Sequence, residues 1–169
     1  GAELLAIADA DRNRAAEVAK ELEISITSGS IDELVQRNDV QAVVIASPGK
    51  FHASDVATAA AAGKHVFSEK PLGLNLVELD AALEAVAKAN VLFQVGHMRR
   101  YDPAYVDAAK RISAGEIGVP VIFKAVGRDC DPPPITYFSS GLNANLFLDS
   151  AIHDFDLARW LMGDEVAEV

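Results

Sequence analysis

Residues 65–96 read HVFSEKPLGLNLVELDAALEAVAKANVLFQVG, and their order decides the fold. HVFSE is a short apolar strand. Asn75 then caps a long helix over 75–90, and VLFQVG (91–96) forms the next strand. Strand, helix and strand in that order, with both strands apolar, make the repeating unit of a parallel sheet covered on both faces. At the mouth of the first strand sits Glu69-Lys70-Pro71. A turn there needs proline or glycine, but it does not need an acid and a base beside it.

The alternation continues towards the N-terminus. VQAVVIASP (40–48) is a β-branched run ended by Ser-Pro, hence a strand, and FHASDVATAAAAG (51–63) is a helix closed by Gly63. ELLAIAD (3–9) reads as a buried strand. RNRAAEVAKEL (12–22) is a helix with Ala15, Val18, Ala19 and Leu22 at helical spacing. Ser30 opens a short helix with Glu33 three residues on, a capping box. The chain begins inside an apolar run and without a methionine, so a fragment is expected.

Beyond Gly96 the pattern changes. Residues 103–118 are one more helix and VPVIFKAVGRD reads as a strand of about nine residues. DCDPPPITYFSSGLNAN has no periodicity, and such stretches inside a compact domain are more often binding loops than linkers. LFLDSAIHDFDLARWLMG (146–163) is a helix ended by Gly163.

Charge narrows the function. With 25 acidic against 15 basic residues the net charge is −10, and no basic cluster offers a footprint for nucleic acid or an anionic membrane. Cys130 is the single cysteine, so no intrachain disulfide forms, and no apolar run approaches the ~18 residues of a membrane span. A cytoplasmic protein is expected.

Several residues could carry chemistry. An acid at the end of a nucleotide-binding strand, as Asp9 is, can accept hydrogen bonds from a ribose, although capping the following helix is the plainer role. Arg12 and Arg14 leave a cofactor 2′-phosphate open. Ser47-Pro48, Glu69-Lys70-Pro71 and Gly96-His97 all lie at strand ends, where doubly wound sheets form their ligand crevice. His52 in the next helix and His65 at a strand start have structural readings of at least equal weight. Lys70 could lift its ammonium into the crevice and stabilise charge developing on a substrate oxygen, with Glu69 holding it, or it could be half of an exposed pair.

In the last helix Asp149, His153, Asp156 and Trp160 form one stripe at 100° per residue, flanked by Leu148 and Ile152 and by Leu157 and Leu161. Charges between apolar flanks are rare unless paired or working. A carboxylate can orient an imidazole, which then serves as a general base near neutral pH. A purely structural Asp-His pair stays open. No metal site is expected, since nothing supplies a third ligand.

Three stretches, GKHVFSEKPLG (63–73), QVGHMRRYDPAY (94–105) and LDSAIHDFDLARWL (148–161), together resemble the Gfo/Idh/MocA oxidoreductase family of glucose–fructose oxidoreductases and inositol dehydrogenases, and within it the inositol 2-dehydrogenase branch most. The resemblance implies an NAD(P)-binding Rossmann-type doubly wound sheet over 1–118, lacking its first strand and glycine-rich loop. It implies the start of a C-terminal α/β domain with a mostly antiparallel sheet over 119–169. Lys70 would bind the reacting hydroxyl, His153 accept its proton, and Asp149 partner the histidine and touch the substrate. Asp9, Arg12, Ser47, Pro48, His52, Glu69 and Lys70 would line the cofactor, NAD or NADP, and Arg99 and Tyr101 would border the substrate. The family's usual Pro-Asn is Pro48-Gly49 here. The implied activity is oxidation of a secondary alcohol on a cyclic polyol or sugar, in a homo-oligomer joined through the C-terminal domain. An NAD-dependent glycosidase of the same family and a non-enzymatic sugar-binding protein are the alternatives.

Overall fold

The computed structural model describes residues 1–128, 130–131, 134–141 and 145–169. Five strands, β1 (Ala6–Ala8), β2 (Ile26–Ser28), β3 (Ala42–Ile45), β4 (His65–Ser68) and β5 (Phe93–Val95), all pair in parallel. They form two sheets, β1-β2 and β3-β4-β5, rather than one continuous sheet. The strand β2 has no counterpart among the expected elements, because three residues are too few to display a period.

Of the helices α1 (Arg12–Glu21), α2 (Ile31–Val35), α3 (Gly49–Ala61), α4 (Leu76–Ala89) and α5 (Pro103–Ser113), all but α3 start at a residue whose side chain caps them. The Ser30 and Asn75 side chains accept from the amides of Glu33 and Glu78. Glu33 does not close its box on residue 30; its carboxylate takes the Gly29 amide and the Ser28 hydroxyl instead. The core lies under the three-stranded sheet, where Val43, Ile45 and Val66 meet Ala53, Val56 and Ala59 of α3 and Ala82 of α4. Period-two alternation sends Val43 and Ile45 inward, while Val44, on the opposite face, is 70% exposed. The parallel strands with helices packed on them agree with the expected Rossmann-type architecture, and α3 and α4 both contribute to this core.

Residues 119–128 were expected to form a strand and do not. Val119, Val121 and Ile122 are exposed, and no strand among the described residues lies alongside to accept their hydrogen bonds. A strand is a paired structure, and β-branched composition cannot replace the partner. The aperiodic stretch after it holds a short helix, α6 (Ile135–Ser139), while 129, 132–133 and 142–144 lie outside the described residues. The expected last helix is two pieces: a π-helical turn, Phe147–Ala151, running into α7 (Ile152–Met162). Gly163 ends it in the left-handed conformation at φ 66°. Among the described residues no helix is long and apolar enough to cross a membrane.

Candidate active site

The crevice lies where the ends of β3 and β4 meet the π turn. It is a hollow of about 190 Å³ bordered by Ser47, Pro48, Glu69, Lys70, Tyr137 and Asp149. The Lys70–Pro71 peptide is cis. The Lys70 ammonium does not turn to Glu69. It donates to the Asp149 carboxylate Oδ1 at 2.7 Å and to the Asp149 carbonyl at 2.7 Å, across a sequence gap of 79 residues. Each side chain keeps 20% of its surface exposed, so the pair is shielded without being sealed. Glu69 accepts from the Lys70 backbone amide instead.

Sequence reasoning did not find Tyr137. Its hydroxyl donates to Asp149 Oδ2 at 3.0 Å, so lysine and tyrosine hold the two carboxylate oxygens between them. Burial, followed by the Asp149 carboxylate, raises the tyrosine above its ordinary range. The aperiodicity of its stretch pointed to a loop that binds something, but nothing singled out this residue.

His153 follows one helical turn after Asp149, yet the expected hydrogen bond between them is absent, and the Asp149 oxygens are held by Lys70 and Tyr137. A single angle of 100° per residue does not hold across a π turn, so the stripe projected from the sequence changes register at Ile152. The imidazole Nδ1 is buried and has no hydrogen-bond partner. Burial, then the charges of Lys70, Arg99 and His97, hold this histidine below its usual range, with Asp154 pulling weakly the other way. A neutral imidazole beside cations can accept a proton, and Lys70 is the charge that most opposes its protonation.

Two ion pairs that sequence reasoning missed fix α7 against the end of β5. Arg100 binds Asp156 through three contacts of 2.8–3.1 Å, and Asp156 is only 6% exposed. The same guanidinium lies 5.7 Å from the centre of the Trp160 ring. Arg99 pairs with Asp154. The signal was legible as charge matching: two adjacent arginines after β5 face two aspartates one residue apart on α7. Asp156 is therefore a structural anchor rather than a member of a catalytic stripe. Tyr101 is 65% exposed; its hydroxyl accepts from the Gln94 amide in a second, larger hollow of about 460 Å³ that also holds Phe67 and Glu69. At Gly96, between those groups, a Cβ would approach the Phe67 ring to 3.1 Å and Glu69 Oε1 to 3.3 Å.

On the other flank, Asp11 rather than Asp9 caps α1, accepting from the amides of Asn13 and Arg14. Asp9 remains at the end of β1, accepting from the Asp11 amide, with Arg14 at 3.8 Å. The Arg12 guanidinium donates to Glu33 at 2.6 Å in an exposed ion pair. The Ser47 hydroxyl donates to Asp55 at 2.7 Å, and Pro48 opens α3 without any side-chain cap. His52 is buried beneath the crevice that it helps to line, its two nitrogens against backbone carbonyls of Pro71 and Ser47. His65 Nδ1 accepts from the Leu92 amide, a strand-edge contact. Among the described residues no three His, Cys, Asp or Glu side chains converge as a metal site requires.

The N-terminus of α3 carries no side-chain cap, and Asp9 stands at the end of β1.

Comparison with known proteins agrees with that chemistry. The family model "Oxidoreductase family, NAD-binding Rossmann fold" matches residues 1–97, and the GFO/IDH/MocA C-terminal domain model matches 105–169. Scyllo-inositol 2-dehydrogenase (NAD(+)) of Bacillus subtilis is 43% identical over 169 residues, all of this chain and 49% of the relative. Myo-inositol 2-dehydrogenase of Thermotoga maritima is 38% identical over 98% of this chain and 49% of its own length. The crystal structure of scyllo-inositol dehydrogenase from Lactobacillus casei with bound NAD(H) and scyllo-inositol superposes with a TM-score of 0.78 at 32% identity, covering 96% of this chain and 49% of that one. The chain thus spans about half the length of the curated relatives it matches.

Proposed function

We propose that this chain, which belongs to the GFO/IDH/MocA oxidoreductase family, supplies the catalytic lysine, the proton acceptor and most of the cofactor contacts of an NAD-dependent inositol 2-dehydrogenase. The observation that carries the reading is the Lys70 ammonium held on Asp149 at the mouth of a strand-end crevice, electrostatically coupled to a depressed His153. Relatives named for the scyllo and myo isomers of inositol support the substrate class, a cyclic polyol.

In this mechanism the Lys70 ammonium donates a hydrogen bond to the oxygen of the reacting hydroxyl. That contact makes the oxygen more acidic and stabilises its developing negative charge. His153, neutral at working pH, takes the hydroxyl proton. NAD, when bound, supplies the hydride acceptor. Asp149 keeps the ammonium aimed, Tyr137 keeps Asp149 aimed, and Asp9, Ser47, Pro48 and Glu69 line the cofactor. Arg99 acts through His153 as a neighbouring charge, and Tyr101 borders the cleft beside Glu69.

The cofactor domain extends to residue 118 and the substrate domain begins at 119. Among the described residues β1 and β3 each have one edge without a paired strand. Assembly as a homo-oligomer in the cytoplasm completes the proposal.

The test is a panel of inositols and aldoses offered to the full-length protein with NAD and with NADP, following reduced cofactor by absorbance. Reduction by an inositol with NAD is expected. Failure of every polyol, with sugar released from a glycoside and no net NADH, would replace this reading by an NAD-dependent glycosidase.

A further inference from the structure

Asn145 is the last residue of the aperiodic stretch and has no part in the chemistry proposed above. The amides of the first three residues of the π turn all converge on it. Its side-chain oxygen accepts from the Phe147 amide at 3.0 Å and from the Leu148 amide at 3.1 Å, and its backbone carbonyl accepts from the Asp149 amide at 2.8 Å. Backbone amides only donate, so it is the oxygen of the Asn145 side chain that faces them. The first amides of a helix lack partners within it, and asparagine is among the side chains that best supply one. Leu146, which directly precedes the turn, offers no side-chain bond.

The load on that turn gives the cap a consequence. Asp149 is the middle residue of Phe147–Ala151, and it meets the Lys70 ammonium with two oxygens, carboxylate Oδ1 and its own backbone carbonyl, each at 2.7 Å. An ammonium has three hydrogens. Two are spent on Asp149, and the third serves the reacting hydroxyl. A carboxylate can swing about its side-chain torsions, but a backbone carbonyl turns only with the chain that holds it. Tyr137 fixes the second carboxylate oxygen and leaves the carbonyl to the backbone. The direction of that carbonyl is therefore set where the turn begins, at Asn145.

We propose that Asn145 is a positioning residue: by holding the amides of residues 147–149 it sets the rotation of the π turn, and so aims both Asp149 oxygens at Lys70 and the third ammonium hydrogen at the substrate oxygen. Asn145 acts through Asp149 and Lys70 rather than on the reacting atoms. The inference rests on the role given to Lys70 above.

Asn145→Leu in the full-length protein removes the side-chain oxygen at similar size. It should lower kcat with the best inositol by about tenfold, the worth of a lost cap carried into the reacting geometry. NAD affinity, measured by calorimetry, should be unchanged. Asn145→Asp keeps an acceptor in the same place and should retain the wild-type kcat. The discriminating measurement repeats Asn145→Leu in a Lys70→Met background, where it should cost nothing further; a general loosening of the fold would lower both backgrounds alike. Wild-type kcat in a folded Asn145→Leu variant, an equal loss in both backgrounds, or a loss shared by Asn145→Asp overturns the proposal. If the Leu variant does not fold, hydrogen exchange at the Phe147 and Leu148 amides of the wild type decides: protection is expected, and free exchange overturns the cap. Those amides can be followed whether or not any polyol is oxidised, so a failure of the dehydrogenase reading and a failure of this one are told apart.

Discussion

Lys70→Met and Asp149→Asn, made singly and together in the full-length protein, test whether the two residues work as a unit. Their charged atoms are 2.7 Å apart with both side chains 20% exposed. At an effective dielectric of about 20, a pair at that distance attracts by about 6 kcal/mol before solvation is considered. Desolvation and side-chain ordering return most of that, leaving a net coupling of about 1–3 kcal/mol, between exposed and buried extremes. Catalysis depends on aim as well as charge. Removing one donor that faces a developing oxyanion costs about 10²–10³ in kcat, so Lys70→Met should lose that much. Asp149→Asn leaves the ammonium unaimed and should lose nearly as much. If Asp149 acts mainly through Lys70, the double variant loses about the same 10²–10³ rather than the product of the two losses. The assay is initial-rate NADH formation from the best inositol, with NAD affinity measured separately to show that the cofactor site is intact. Multiplicative losses of about 10⁴ or more would refute the shared role.

Two further outcomes follow from the same geometry. Burial, then the charges of Lys70, Arg99 and His97, depress His153, so the acid limb of the kcat/KM profile should fall below the ordinary histidine value of about 6.5. Lys70→Met should move the His153 titration, followed by NMR, upward without restoring that value, because burial is the larger cause. The sign carries into stability: between the depressed folded value and about 6.5 the unfolded chain binds more protons, so stability falls as pH drops through that window. A limb at or above the ordinary value would contradict the environment described. Leu157→Ala removes a side chain that is 2% exposed where α7 packs, and should cost about 3 kcal/mol, lowering Tm by about 6–12 °C in a thermal melt; a shift below about 2 °C would mean that α7 is not packed as described.

The parts of the fold that could be read were those whose information is local. Ser30 and Asn75 cap the helices they were expected to cap, and Gly163 closes α7 in the left-handed conformation its position required. β3 and β4 were legible because β-branched and aromatic runs end at Ser-Pro and at Glu-Lys-Pro. What failed was non-local. Residues 119–128 have a strand's composition, but pairing is a property of two segments, and no partner lies beside them among the described residues. The π turn was invisible because a helical projection assumes the period it is meant to test.

At the site the same division explains which residues were found. Lys70, Asp149 and His153 were singled out because each is a reactive type in a conspicuous local setting: a strand end, or an apolar stripe. Their actual pairing was not readable. Asp149 lies four residues from His153 and 79 from Lys70, and sequence distance favoured the wrong partner. Only the folded chain brings the lysine across, and doing so frees His153 from its carboxylate and exposes it to the charges of Lys70 and Arg99 instead. That exchange matters chemically. A histidine paired with a carboxylate is a stronger base but carries its proton closer to neutral pH; one surrounded by cations is a weaker base that stays deprotonated where the reaction must begin. With Lys70 already stabilising the oxygen, the proton acceptor does not need great strength. It needs to be empty, and the arrangement of charges around His153 keeps it so.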